Sequence, residues 1–128
     1  MFLLKYWKSI LVSCVVFYIS IIRIPPVKIV ENIPYFDKMV HFGMYFTLAS
    51  SLFLDFISNS HSLLWVKKVA LIVVIPSLYG GLIEILQGAY FPPRSAEWSD
   101  FFADCLGSLV AYLICNKWLL LKLQRDSA

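Results

Sequence analysis

The chain has 128 residues, of which 60% are hydrophobic and only 15% charged, with a net charge of +3. Soluble domains average about 45–50% apolar and about 25% charged residues, so this composition points to one domain in a membrane. Scattered Lys and Arg form no nucleic-acid patch. Three cysteines (Cys14, Cys105, Cys115) lie in apolar runs without a C-x-x-C pair, which argues against a disulfide framework or a cysteine zinc site.

The first predicted helix covers about 5–24. Lys5 and Lys8 precede the apolar run Ser9–Ile22, as in a signal peptide. The run ends in Ile21-Ile22-Arg23-Ile24-Pro25, with no small-x-small cleavage site, so an uncleaved anchor is expected. Three further apolar segments are expected at about 38–57, 67–88 and 98–118. Turn chemistry separates the four: Pro25-Pro26, the polar run Ser58-Asn59-Ser60-His61-Ser62, and Pro92-Pro93. The predicted fold is all-α, a single domain over 1–128. It is a polytopic membrane protein with a bundle of four transmembrane helices.

The uncharged runs are short: 13 residues over Phe42–Leu54, 15 over Val69–Ile83 and 12 over Cys105–Asn116. A helix needs about 20 residues to span the hydrocarbon core. Polar ends must therefore enter the apolar zone. Lys67, Lys68 and Lys117 can snorkel outward on their long stems. Glu84, Asp104 and His41 are too short to do so, and are expected to face protein or a wet cavity.

Lys and Arg counts set the orientation. With the N-terminus inside, seven lie inside (Lys5, Lys8, Lys67, Lys68, Lys117, Lys122, Arg125) and four outside (Arg23, Lys28, Lys38, Arg94). Both termini are thus predicted to be cytoplasmic. Tyr6, Trp7, Trp65 and Trp118 fit an inner aromatic belt, and Tyr35, Tyr90 and Trp98 an outer one.

This topology makes polar residues converge on one membrane level. The second helix starts there with Asp37, Lys38 and His41, the third ends there with Glu84 and Gln87, and the fourth starts there with Asp100 and Asp104. Each set also follows one helical stripe: Lys38, His41, Tyr45; Ser77, Gly80, Glu84, Gln87; Asp100, Asp104, Gly107, Ala111. The small residues on these stripes are expected to let the third and fourth helices approach closely.

The chemistry of the set allows several roles. Asp37 has the position of a helix N-cap. His41, Glu84, Asp100 and Asp104 are the candidate catalytic residues, with His41 or Glu84 as a base. A structural ion pair of Glu84 with Arg94 or Lys38 is the competing expectation. Gln87 is expected to orient Glu84 or a ligand. Lys38 and Arg94 suit phosphate or carboxylate, Arg94 bidentately. Glu97 suits the dipole of the fourth helix. Lys38 and Arg94 against Asp37, Glu84, Glu97, Asp100 and Asp104 leave −3 with neutral histidine. The cluster therefore calls for protons, a cation or a cationic ligand. One histidine among carboxylates can ligate a divalent metal, although no motif requires a cofactor.

Three motifs in order, Asp37-Lys38-x-x-His41-Phe42, Tyr79-Gly80-x-x-x-Glu84-x-x-Gln87 and Arg94-Ser95-x-x-x-x-Asp100 followed by Gly107, resemble the VanZ-like family of small bacterial membrane proteins. The resemblance covers roughly 35–112. It implies a four- or five-helix protein of the bacterial cytoplasmic membrane and a link to teicoplanin resistance, the association of the family's namesake. It adds Ser95 to the ligand-binding candidates Asp37, Lys38, Tyr45, Gln87 and Arg94. Asp104 departs from the family pattern, which usually has Asn there.

Three functions are carried forward. The favoured one is binding of a lipid or lipid-linked cell-envelope head group at the outer face. The second is a membrane-embedded hydrolase or transferase on a lipid-linked substrate, with metal assistance as an option. The third is a structural membrane protein that acts through a partner. No nucleic-acid partner is expected.

Overall fold

A computed structural model describes residues 2–22, 33–59, 65–92 and 95–127. Among these residues all regular structure is helical. A single turn, α1 (Phe2–Lys5), is separated at Tyr6 from α2 (Trp7–Ile21). Helix α3 spans Phe36–Asn59. Then α4 (Trp65–Val69), a π-helical turn (Ala70–Val74) and α5 (Ile75–Tyr90) follow without a break, and α6 spans Trp98–Asp126.

Three helical stretches among the described residues are long and apolar enough to cross a membrane: Phe36–Asn59, Lys67–Tyr90 and Trp98–Asp126. Helix α2, at 15 residues, is shorter and also apolar. At 1.5 Å per residue it covers about 22 Å, less than the ~30 Å hydrocarbon core. The predicted first helix, 5–24, is therefore broken at Tyr6, and its residues 23 and 24 lie outside the described residues. The predicted 98–118 helix runs on to Asp126, because a helix need not stop where its uncharged run stops.

Helix α3 is the centre of the bundle. It packs against α6 along most of its length and also touches α2, α5 and the π-helical turn. One core cluster joins Ala49 and Phe53 of α3 to Ile72, Ala111 and Tyr112. The other joins Tyr45 and Leu48 to Val16 and Ile83. Outward-facing positions are apolar: Leu78, Leu82 and Ile85 on α5, and Phe102, Leu106 and Leu113 on α6, are all more than half exposed. Five buried residues, by contrast, are His41, Glu84, Gln87, Asp100 and Asp104. A soluble protein would not tolerate so much exposed apolar surface. A protein with lipid as its solvent requires it, so this is a membrane protein.

Glycines set the closest approaches. A Cβ on Gly107 would collide with the backbone carbonyl of Phe42 and crowd the amide of Phe46, both on α3. The expected pairing of the third and fourth predicted helices through Gly107 is thus corrected: Gly107 seats α6 on α3. Gly80 does serve the α5–α6 contact, where a Cβ would meet Asp104 Oδ2 at 2.5 Å.

The π-helical turn precedes Pro76, which is fully buried. A proline cannot donate to the carbonyl four residues back, and its ring crowds that group. Widening the previous turn relieves this. The Ile75 amide duly reaches the Ala70 carbonyl, five residues back.

The opposite end of α3 holds a second polar contact that the sequence did not disclose. Asp55, 2% exposed, accepts hydrogen bonds from the Ser9 amide (2.9 Å) and the Ser9 hydroxyl (2.7 Å), with Lys8 Nζ at 3.8 Å. The Ser9 amide is in the first turn of α2, where backbone donors lack helical partners, and Tyr6 supplies no side-chain cap. Asp55 therefore caps α2 from another helix, and its charge suits the α2 dipole. Asn59 adds a bond from its side-chain amide to the Lys5 carbonyl at 2.7 Å. Asp55→Ala is expected to lose two charge-assisted bonds, worth about 1.5–3 kcal/mol each. Thermal melting of the variant in detergent checks this, and a wild-type midpoint would refute the capping role.

Candidate functional site

The polar cluster lies where α3, α5 and α6 meet. The ladder of α3 places Lys38 and His41 on its inner face, one turn apart. Asp100 and Asp104 stand one turn apart on α6, and Glu84 faces them from α5. His41, Glu84, Asp100 and Asp104 are all at most 5% exposed. His41 is the hub. Its Nδ1 is hydrogen-bonded to Asp104 Oδ1 at 2.9 Å and lies 3.8 Å from Glu84 Oε1. Its Nε2 lies 3.8 Å from Asp100 Oδ2.

Lys38 forms the upper edge. Its ammonium lies 2.6 Å from Glu97 Oε2, 2.8 Å from Asp100 Oδ1 and 3.5 Å from Asp37 Oδ2. It therefore neutralises acids of its own chain. The Lys38 ammonium holds the Glu97 carboxyl below its usual range. Glu97 is thus more than a helix-dipole residue, because it ties the start of α6 to α3. Asp37 is not an N-cap either: it is exposed, inside the first turn of α3. Tyr35, with φ of 60°, turns the chain into that helix.

Among the described residues Glu84 pairs with no cation but His41, and its expected alternative partner Arg94 lies outside them. Its Oε2 accepts the Glu97 backbone amide at 3.0 Å, which ties the α5–α6 loop to α5. Its Oε1 has no hydrogen-bond partner among the described residues, and neither has Asp104 Oδ2. Gln87 neither orients Glu84 nor is held for a ligand by its amide nitrogen, which donates to the Ser20 carbonyl of α2 at 2.7 Å. Tyr79 likewise donates to the Ser13 carbonyl at 2.9 Å. These two bonds dock α2 on α5.

The other candidates are placed as follows. Tyr45 is 1% exposed, with its hydroxyl unpartnered among the described residues. Ser95 is exposed in the α5–α6 loop. Arg94 lies outside the described residues. Among those described, no serine or cysteine side chain is hydrogen-bonded to His41.

Two sets have ligand atoms all within 4.8 Å of one another: His41, Glu84 and Asp104, all buried, and Asp37, His41 and Asp100. The first is the better enclosed. Beside it, between α5 and α6, lies a groove of about 430 Å³ lined by Leu78, Gly81, Leu82, Ile85, Ala96 and Phe101. Trp98 and the two acids Glu84 and Glu97 complete its wall. Glu84 thus belongs to both the groove and the cluster. No family model, curated protein or solved structure matches this chain.

Proposed function

We propose that this chain is a VanZ-like multi-pass protein of the bacterial cytoplasmic membrane that binds the head group of a lipid or lipid-linked envelope precursor. In this reading α2 acts as a fourth membrane helix, both termini are cytoplasmic, and the His41 cluster lies just below the outer face. The observation that carries it is the groove between α5 and α6. Its lining is mostly apolar, with Leu78, Leu82 and Ile85 more than half exposed, and it includes the buried Glu84. In a membrane, an outward apolar groove is filled by an acyl or prenyl chain, and the head then meets Glu84.

The cluster favours a head rich in donors. Among the described residues, Lys38 stands against Asp37, Glu84, Glu97, Asp100 and Asp104, a balance of −4 with neutral His41. Lys38 is already engaged, so acceptors are in surplus. An amine or a set of sugar hydroxyls meets that surplus, whereas a bare phosphate does not. The envelope role, with teicoplanin tolerance as one readout, comes from the VanZ-like resemblance.

Native mass spectrometry of the protein in mild detergent tests the reading. The wild type is expected to retain a lipid-sized adduct. Leu82→Trp, which fills the groove from its rim, should lower occupancy at least about tenfold, equivalent to ~1.4 kcal/mol. Leu113→Trp, on an exposed part of α6 outside the groove lining, should match wild type. A bare wild type after reconstitution with amine-headed lipid would overturn the proposal.

A further inference from the structure

We propose that His41, Glu84 and Asp104 bind one divalent transition-metal ion, with Zn²⁺ as the preferred occupant. The ion needs no bound lipid, so it stands apart from the reading above.

Geometry is the first support. The three candidate donor atoms come from three helices and lie within 4.8 Å of one another. Zinc bonds of ~2.0–2.2 Å in a tetrahedral site put donor atoms roughly 3.3–3.5 Å apart. The His41 Nδ1 separations, 2.9 Å to Asp104 and 3.8 Å to Glu84, bracket that value. Sub-ångström adjustments by side chains would close the site.

An unpaired atom is the second support. Glu84 Oε1, which faces His41 Nδ1 at 3.8 Å, belongs to a side chain 94% buried, yet accepts no hydrogen bond among the described residues. A buried acceptor without a partner is costly. The other oxygen of Asp104, Oδ2, rests on Gly80 and holds the carboxylate so that Oδ1 faces His41.

Charge is the third. Asp100 and Lys38 neutralise each other at 2.8 Å. That leaves Glu84 and Asp104, −2 together, around a buried imidazole. A divalent cation balances them, and the ion's own charge dominates the field there. Imidazole with carboxylates suits zinc, and since the divalent series places Cu²⁺ above Zn²⁺, the preference for zinc rests on a tetrahedral site in place of the tetragonal one that Cu²⁺ favours.

The support around the histidine is the fourth. A ligating histidine usually directs its other ring nitrogen at a carboxylate, which fixes the tautomer. Here Nε2 faces Asp100, itself held by Lys38. A metal on Nδ1 would take the place of the proton in the His41–Asp104 bond. That proton leaves to solvent from an imidazolium, or moves to Nε2 in a neutral ring, so that in either case Nε2 carries an N–H facing Asp100. Three protein ligands leave a fourth position, as in catalytic zinc sites. Glu84 is shared with the groove, so water or the groove's occupant can supply the last donor.

The test uses the full chain, purified in detergent, stripped with chelator and titrated with Zn²⁺ alone. One equivalent per chain is expected, with a higher melting midpoint and, on Co²⁺ substitution, the intense visible bands of four-coordinate cobalt. His41→Gln and Asp104→Asn should abolish both signals. Asp100→Asn touches no metal and should weaken binding about 10–100-fold while the protein stays folded. Leu82→Trp should keep full zinc binding, as should a variant with Cys14, Cys105 and Cys115 all changed to Ser. Stoichiometric zinc that survives Asp104→Asn, or a wild type that binds no more than His41→Gln, would overturn the site. Zinc binding without a lipid adduct would instead overturn the lipid reading alone.

Discussion

Gly107→Ala is expected to cost about 2–3 kcal/mol or more, with a large loss of folded protein in the membrane. Overpacking a core by a methylene usually costs ~1–3 kcal/mol. Here the added Cβ meets backbone on α3, the Phe42 carbonyl and the Phe46 amide, and no side chain can rotate away. Among the described residues the α3–α6 contact is the most extensive between helices. Without a hydrophobic drive between helices in lipid, such close packing is what holds them together. Gly43 on α3 is the control, since a Cβ there meets nothing within 4 Å. Gly43→Ala should be neutral or stabilising by ~0.5–1 kcal/mol. Thermal melts of the two variants in one detergent separate the ideas, and equal midpoints would sink the close-approach account.

The second large effect is expected in the His41–Asp104 pair. Asp104→Leu keeps the branched shape but leaves His41 without its 2.9 Å partner. Breaking a buried charged pair by removing one member costs about 3–5 kcal/mol. His41→Leu should cost a similar amount, because it leaves Asp104 and Glu84 facing each other. Replacing both with leucine should cost clearly less than the two losses added, with a coupling of about 0.5–3 kcal/mol. Additive losses would show that the pair is not a unit. All three variants should fail to bind zinc, so stability and binding separate in the double variant.

Much of this site is legible in the sequence. His41, Glu84, Asp100 and Asp104 sit on single helical stripes, and alternating helix direction brings three stripe ends to one level. The structure brings those four together. What was not legible was the choice of partners. Lys38, Glu97, Asp100 and Asp37 are all within plausible reach by spacing, and only side-chain geometry gives Lys38 to Glu97 and Asp100. Gln87 carries the right periodicity for the site yet bonds Ser20, because α2 presents a carbonyl there and helical spacing says nothing about a helix elsewhere in the chain. Gly107 was correctly singled out as an approach point but matched to the wrong helix. A small residue signals closeness, not the neighbour. The π-helical turn had one local signal, Pro76 within an apolar run. The run to Asp126 was missed because uncharged length measures the membrane and not the helix.

The cap on α2 also sets an order of events during synthesis. Ser9 leaves the ribosome 46 residues before Asp55. At ~5–20 residues per second that is an interval of roughly 2–9 s. During it, the Ser9 amide and hydroxyl lack the carboxylate that accepts them in the folded protein, and hydrocarbon offers no substitute. The start of α2 must therefore wait at the wet boundary of the membrane until α3 arrives. Helix α2 is completed by α3, so a nascent chain halted before Asp55 should hold an N-terminal segment that is still open to aqueous thiol or amine reagents.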